Sequence, residues 1–274
     1  MDIRNKKLII AGLGIIVALV IVGIVGALNG WFGGGPKIPE DTFTRGLVAY
    51  WSFDEGTGNI AYDISGNGNN GTIYGAKWTK GKYGSALQFD GVDDYVEILD
   101  DDSLDINIQN GEKITIEAWI YPYTVTGERG IVSKRENYRL LLLGQSIKFQ
   151  TFGWTASQNL KVTANKWHHV VVTYDGTTKE LNFYLDGSRE TRENYSVNGG
   201  INPWKLYIGK GHDFSYFFHG IIDEVRIYNR ALSAEEIRYH YNRGRPIAHW
   251  RFDEGSGTTT YDSSGNEYHG ILHE

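Results

Sequence analysis

No cysteine occurs in this 274-residue chain, which excludes a disulfide framework, a thiolate nucleophile and a Cys-ligated zinc. An external domain built from it has to be held by its core, with or without a hard metal ion. There is no P-loop, no H-E-x-x-H and no E-x-D-x-x-E run presenting paired carboxylates from one strand, and no Ser or Cys nucleophile is placed by sequence near the pair His168-His169. The residues give catalysis little support. Basic charge is also short. The formal charge is −6, and because the first 45 residues sum to about +2, the remainder carries about −8, which argues against phosphate-backbone binding and against nucleic acid as a partner. Cations and neutral glycans suit it better. Proline is scarce at 5, whereas Gly at 35, Tyr at 18 and Trp at 8 describe turns joined by large side chains that fit a pleated, half-buried surface.

Long apolar runs are missing except for one. Leu8 to Leu28 carries no charged or polar side chain and as a helix spans roughly 30 Å, one hydrocarbon core. Arg4, Lys6 and Lys7 precede it and no basic residue follows until Lys37, so residues 1–7 are expected in the cytoplasm, 8–28 as a single-pass transmembrane helix, and everything after it outside the cell membrane. A cleaved signal has a shorter apolar stretch, about 7 to 15 residues. Residues 29–45, with Pro36, Pro39 and several glycines, read as a mobile linker.

The strongest internal signal is a repeat without gaps. Ala49 to Ile73 realigns with Ala248 to Leu272 at an offset of 199 residues, with about half of the positions identical. One complete unit therefore occupies residues 46–245, and residues 246–274 reproduce only the opening of a second. Within the complete unit, strands are expected at Leu47 to Phe53, Ala86 to Phe89, Tyr95 to Leu99, Ile114 to Tyr121, Arg139 to Leu143, Ile147 to Thr151, His168 to Tyr174, Leu181 to Leu185, Leu206 to Ile208 and Gly220 to Tyr228. Pairs such as Asp90-Gly91, Asp175-Gly176 and Asp186-Gly187 are hairpin chemistry, so the sheets should be antiparallel. One helix is expected, capped by Ser233 and Glu236 and ending before Gly244.

The series VAYWSFDEG, DISGNGNNG, ALQFDGVDDYVEI, ITIEAWIYP, KWHHVVVTYDG, LNFYLDG, LYIG and GIIDEVRIYNRALSAEEI resembles the laminin-G-like, concanavalin A-like domains of prokaryotic surface proteins. The resemblance implies an all-β antiparallel jelly-roll sandwich over residues 46–245. It also implies that the first and last strands lie side by side, bringing Asp54 towards Asp223, and that a structural Ca²⁺ is bound by Asp54, Asp63, Asn67, Asn69 and Asp223. The alternative is that Asp54 and Asp63 only accept turn amides, while Asp223 caps a strand end or pairs with Arg226. A second acidic group, Asp93, Asp94, Asp100, Asp101, Asp102 and Asp105, reads as a solvated loop.

Trp51, Trp119 and Trp167 fall in apolar strand patterns and are expected in the core, and of His168 and His169 one should face the core and the other solvent. Trp154, Trp204, His212, Tyr216 and Phe217 lie in loop-like sequence, where an aromatic face could stack on a sugar. The reading is of a non-enzymatic, membrane-anchored recognition domain for an extracellular glycan or surface protein, in adhesion. Two alternatives stay open: a structural subunit of a surface layer or filament that forms a homo-oligomer through residues 247–274, and a glycosidase-related enzyme.

Overall fold

The computed structural model describes residues 41–151, 153–197, 200–211, 215–242, 255–261 and 270–271. The expected transmembrane helix at 8–28 lies outside the described residues. Within them no helix is long and apolar enough to cross a membrane. Residues 40–243 form one compact unit, and a single helical turn, Asp41–Thr44, occupies the end of the expected linker.

Two antiparallel sheets make the unit. Sheet A runs in the order β14 (Ser188–Arg192), β13 (Glu180–Leu185), β12 (His168–Asp175), β7 (Lys113–Pro122), β16 (His219–Tyr228), β5 (Ser85–Asp90) and β4 (Lys77–Lys80), with β1 (Leu47–Trp51) also paired to β16. Sheet B runs β11 (Trp154–Ala156), β10 (Ser146–Gln150), β9 (Tyr138–Leu143), β8 (Glu128–Lys134), β15 (Leu206–Ile208), β6 (Tyr95–Ile98), β3 (Gly71–Tyr74) and β2 (Ile60–Ala61). The all-β antiparallel sandwich expected from the sequence is the observed fold.

Alternation explains which face each strand buries. Along β6, Val96 and Ile98 enter the core while Tyr95 and Glu97 point out, and β15 does the same with Leu206 and Ile208 against Tyr207. Trp51, Phe53, Phe89, Phe149, Phe183 and Phe218 fill the space between the sheets, each contributing roughly 1.5–3 kcal/mol by leaving water. The Trp51 indole also donates to the Asn69 carbonyl at 2.8 Å. Trp119 and Trp167 depart from expectation. Trp119 is buried on the outer face of sheet A, stacked on Tyr241 with Lys82 Nζ 4.5 Å from its ring centroid, and Trp167 is half-buried against Tyr121.

The first strand ends two residues early, at Trp51, because Phe53 takes a left-handed backbone (φ 57) that a ladder cannot continue. Strands β2, β3, β4, β8, β11 and β14 were not legible, being short, or, in β8, a run of glycine and charge without clean alternation. Ser233 and Glu236 cap the helix Ala234–Asn242 reciprocally: the Glu236 amide donates to Ser233 Oγ at 3.2 Å and the Ser233 amide to Glu236 Oε2 at 2.7 Å. Ile237 of the helix and Leu232 just before it pack on Val171, Tyr184 and Tyr228 of sheet A.

Of the second repeat, one hairpin is described, β17 (Thr259–Thr260) with β18 (Gly270–Ile271). Its register, Thr259 on Ile271 and Thr260 on Gly270, is that of Ile60 on Thr72 and Ala61 on Gly71 shifted by the repeat offset. The repeat in sequence is thus a repeat in pairing.

Candidate functional site

The pairing of Trp51 with Val225 places the ends of β1 and β16 side by side. Both backbones break there, Phe53 at φ 57 and Glu224 at φ 53, and the register of β16 on β7 skips between Asp223 and Arg226. Such residues cost of order 1–3 kcal/mol each and persist where the surroundings over-determine them. Asp54 Oδ1 accepts from the Ser85 amide at 3.1 Å and Asp223 Oδ2 from the Tyr83 amide at 3.0 Å, so both carboxylates seat on the β4–β5 turn. That turn needs glycine. A Cβ on Gly81 would lie 2.6 Å from each of Asp223 Oδ2, Tyr83 O and Ser85 O. Asp223 Oδ1 is buried without a hydrogen-bond partner. Burial, reinforced by the charges of Glu224 and Asp54, pushes this carboxyl up to about 7.

The other expected calcium ligands are elsewhere engaged. Asp63 Oδ1 accepts from the amides of Tyr50 and Ser65 at 2.9 and 2.8 Å, and Oδ2 from Ser65 Oγ and the Asn69 amide at 2.9 and 3.0 Å. The side-chain amides of Asn67 and Asn69 both donate to Val48 O, at 2.8 and 3.2 Å. These three residues clamp the 63–70 turn to β1 through backbone groups. The five-residue set therefore divides, with Asp54 and Asp223 together and Asp63, Asn67 and Asn69 apart. Nor does Asp223 pair with Arg226, whose guanidinium binds Glu117 and Glu224.

The second acidic group is less solvated than its sequence suggests. Asp100 and Asp105 lie 2.6 and 3.0 Å from Nζ of the buried Lys134, which also donates to Trp204 O at 2.8 Å. A lysine ammonium supplies the cation there. Among the described residues, one trio of acidic groups, Asp90, Asp93 and Asp94, brings an oxygen each within 4.8 Å.

His168 and His169 are both buried, at 3% and 1% exposure, so neither faces solvent as expected. Thr163 Oγ1, His168 and Asp186 hydrogen-bond in series, at 2.9 and 2.8 Å. The Thr163 amide donates to His168 Nε2 as well, at 3.1 Å, which assigns the ring proton to Nδ1 against Asp186. With two Thr163 donors on one lone pair, the series is a staple between the 163 loop and the β13–β14 turn.

The outer face of sheet B carries a different pattern. Register aligns Thr72, Glu97, Tyr207, Ser133, Arg139, Gln150 and Trp154 in one row across β3, β6, β15, β8, β9, β10 and β11. Trp154 is 56% exposed at one end, with Lys148 Nζ 4.9 Å from its ring centroid. At the other end Tyr74 stacks on Tyr95 at 4.8 Å, Tyr95 meets Tyr207 edge-on at 5.8 Å, and Lys210 Nζ lies 3.7 and 3.8 Å from the Tyr95 and Tyr207 centroids. Between them Ser133 Oγ and Gln150 Oε1 are buried without hydrogen-bond partners. Planar rings flanking convergent polar groups are the ingredients of a face that stacks and hydrogen-bonds a ring-shaped polar ligand.

Trp154 is the one expected ligand aromatic in this row. Trp204, 44% exposed, stacks under Arg135 at 4.6 Å past the end of β8, whereas Tyr216 packs beside Gly211 and Phe217 O accepts from Arg129 near its start. Five residues of strand separate Gly130 from Arg135, roughly 16 Å, so these aromatics do not make one site. His212 lies outside the described residues. Tyr74, Tyr95, Tyr207, Ser133, Arg139 and Gln150 were missed by sequence reading, although the alternation of β6 and β15 already marks Tyr95 and Tyr207 as outward.

A family profile described as the concanavalin A-like lectin/glucanases superfamily, of laminin G type, matches residues 90–238. The chain belongs to that superfamily. Solved structures agree on its fold. The binding domain of paraclostridial mosquitocidal protein 1 superposes with a TM-score of 0.60 at 16% identity, over 72% of this chain and 52% of that one. Domain 4 of an extracellular arabinanase from Geobacillus stearothermophilus, in complex with arabinotriose, gives 0.56 at 19% identity, over 70% and 96%. Botulinum neurotoxin type C, which interacts with two ganglioside molecules, gives 0.54 at 17%, over 74% and 52%. This lectin-like chain thus spans about half the length of the toxin chains it matches. At these identities the likeness is one of fold.

Proposed function

We propose that the unit at residues 40–243 is a glycan-recognition domain, displayed outside the cell by the apolar segment 8–28, and that it binds rather than transforms its ligand. The observation that carries this is the row across sheet B, in which Trp154 and Tyr207 flank polar side chains on one face, with the paired Tyr74 and Tyr95 beside Tyr207. Among the similar folds are the arabinotriose complex and the ganglioside-interacting toxin, which supports sugar as the ligand class. Trp154→Ala and Tyr74→Ala, introduced into the full-length chain in mild detergent, are each expected to weaken glycan-array binding about ten-fold, equivalent to 1.4 kcal/mol of stacking. Unchanged array signals for both would retire the sheet B site.

A structural Ca²⁺ belongs to the same reading, on a ligand set reduced to Asp54, Asp223 and the carbonyls of Tyr83 and Ser85. These are hard oxygen donors converging on one turn, the kind this ion takes. The chain is expected to melt at a higher temperature with saturating Ca²⁺, and Asp223→Ala to remove most of the rise. An unmoved melting curve in the wild-type chain would count against the metal. The matched register of β17–β18 and β2–β3 favours a second reading, a structural subunit that assembles through residues 247–274.

A further inference from the structure

We infer that Lys134 and Asp105 join covalently, through an amide between the lysine Nζ and the aspartate side chain that the folded unit forms on itself. The chain has no cysteine, so a crosslink within it has to be built from other groups. Lys134 ends β8 on the core-facing row, with Leu206 as its register partner on one side and Tyr138 on the other, and all three side chains are buried. Two carboxylates meet its ammonium. Asp100 Oδ1 accepts from Nζ at 2.6 Å, and Asp105 Oδ1, buried and in no hydrogen bond, lies 3.0 Å from the same nitrogen. Trp204 O accepts from Nζ as well, at 2.8 Å. A buried ion pair repays its desolvation poorly, and here one ammonium faces two carboxylates. Turning one pair into an amide takes both of its charges out of the interior. The remaining carboxylate is then that of Asp100, the more exposed of the two, at 33% against 16%.

The loop that carries the carboxylates is held against the lysine. Its 3-10 turn, Asp102–Leu104, is capped by Asp101, whose carboxylate accepts from the Ser103 amide at 2.9 Å, and the Asp105 amide returns to Asp102 O at 3.2 Å. Tyr138 Oη donates to Leu104 O at 2.9 Å and so ties that turn to the residue opposite Lys134 on β9. Groups fixed in reacting geometry behave as if at effective concentrations of about 10⁵–10⁸ M. A proton passes from Nζ to Asp100 along their hydrogen bond, and the freed lone pair attacks Asp105 Cγ. The Nζ–Cγ bond forms and one Cγ–O bond breaks. The leaving oxygen takes the proton carried by Asp100 and a second proton from Nζ, and departs as water. An ammonium and a carboxylate thus become one amide and one water, with no oxidant, reductant or co-reactant.

The test is the intact mass of the full-length chain in mild detergent, followed by tryptic mapping. The chain is expected to weigh about 18 Da less than its sequence, one water, and to yield a branched peptide that joins the segment holding Lys134 to the one holding Asp105. Lys134→Arg keeps a cation between the carboxylates but presents no amine, and should restore the full mass. Asp100→Asn removes the proton carrier and should do the same. Asp105→Asn should still react, releasing ammonia in place of water, a loss of about 17 Da. A dehydrated Asp-Gly turn at Asp90, Asp175 or Asp186 would lighten the chain equally, but without a branched peptide and in Lys134→Arg as well. A wild-type chain of full mass, with Lys134 and Asp105 recovered on separate linear peptides, would overturn the crosslink, and so would a loss that survives in Lys134→Arg. The deciding mass is that of the wild-type chain, so a variant that fails to fold leaves the result intact.

Discussion

Glu117→Ala is expected to destabilise the unit by about 3–5 kcal/mol, the range for deleting one partner of a buried ion pair. Glu117 is fully buried on the outer face of sheet A, where Arg226 Nη1 donates to Oε1 at 3.0 Å and His240 Nδ1 lies 3.0 Å from both carboxylate oxygens. Burial alone would raise its carboxyl, but His240, His169 and Arg226 together hold it well below the usual carboxylate range. Arg226 in turn binds Glu224, which accepts from Tyr50 Oη at 2.7 Å, so one deletion leaves a buried guanidinium short of charge and loosens three strands. A depressed carboxyl contributes stability that is present above its unfolded value, near 4.3, and lost as pH falls through the folded one. The variant should therefore lose part of the acid-denaturation slope as well as stability at neutral pH. Urea unfolding at pH 7 and pH 3 checks both. A shift below about 1 kcal/mol at pH 7 would place the pair among those that only break even with their desolvation. The helix should feel the change first, since His240 is its polar link to the sheet beside the apolar seat of Leu232 and Ile237.

Asp223→Asn should act in the opposite direction. Its carboxyl is raised to about 7 by burial first and by Glu224 and Asp54 next, against about 3.9 when unfolded. A raised carboxyl stabilises fully below the unfolded value and loses that contribution as pH rises through the folded one, so wild-type stability should decline between about pH 4 and pH 7. At 1.36 kcal/mol per unit, the decline is at most about 4 kcal/mol. Asparagine keeps an oxygen for the Tyr83 amide and carries no charge to desolvate, so the variant is expected to match the wild type near pH 4 and to exceed it at pH 8 in the absence of calcium. Melting temperatures across that range decide it, and parallel curves would show that Asp223 is not the titrating group. Ca²⁺ at the same carboxylate should close the gap at pH 8 by replacing the missing proton.

What the sequence made legible was whatever repeats locally. Alternation in β6 and β15, Asp-Gly turns and the Ser233 capping box depend on neighbours along the chain, and the structure keeps them. The meeting of Asp54 with Asp223 came from the family resemblance, which implies that the first and last strands are adjacent. The division of the calcium set did not, because Asp63, Asn67 and Asn69 are drawn to Val48, Tyr50 and Ser65 by a turn whose backbone conformation composition does not encode. The row on sheet B was hidden for a related reason. Glu97, Ser133, Arg139, Gln150, Trp154 and Tyr207 share a line only when the registers of six strands are known, and a slip of one residue in any strand would send its member to the other face. Lys134 was read past because a lysine in an apolar strand becomes intelligible only with Asp100 and Asp105 across from it.

The pairing of β1 with β16 also has a mechanical side. Leu47 begins β1 and Tyr228 ends β16, and the two are register partners, with the Asn229 amide bonded to Gly46 O and Arg230 Nε to Arg45 O just beyond them. Tension carried between the two ends of the unit would first draw on the helix Ala234–Asn242 and those two clasps. It would then reach the strand pair at one end, where hydrogen bonds lie along the direction of pull and part in succession, as the teeth of a zipper do, rather than sharing the load in shear.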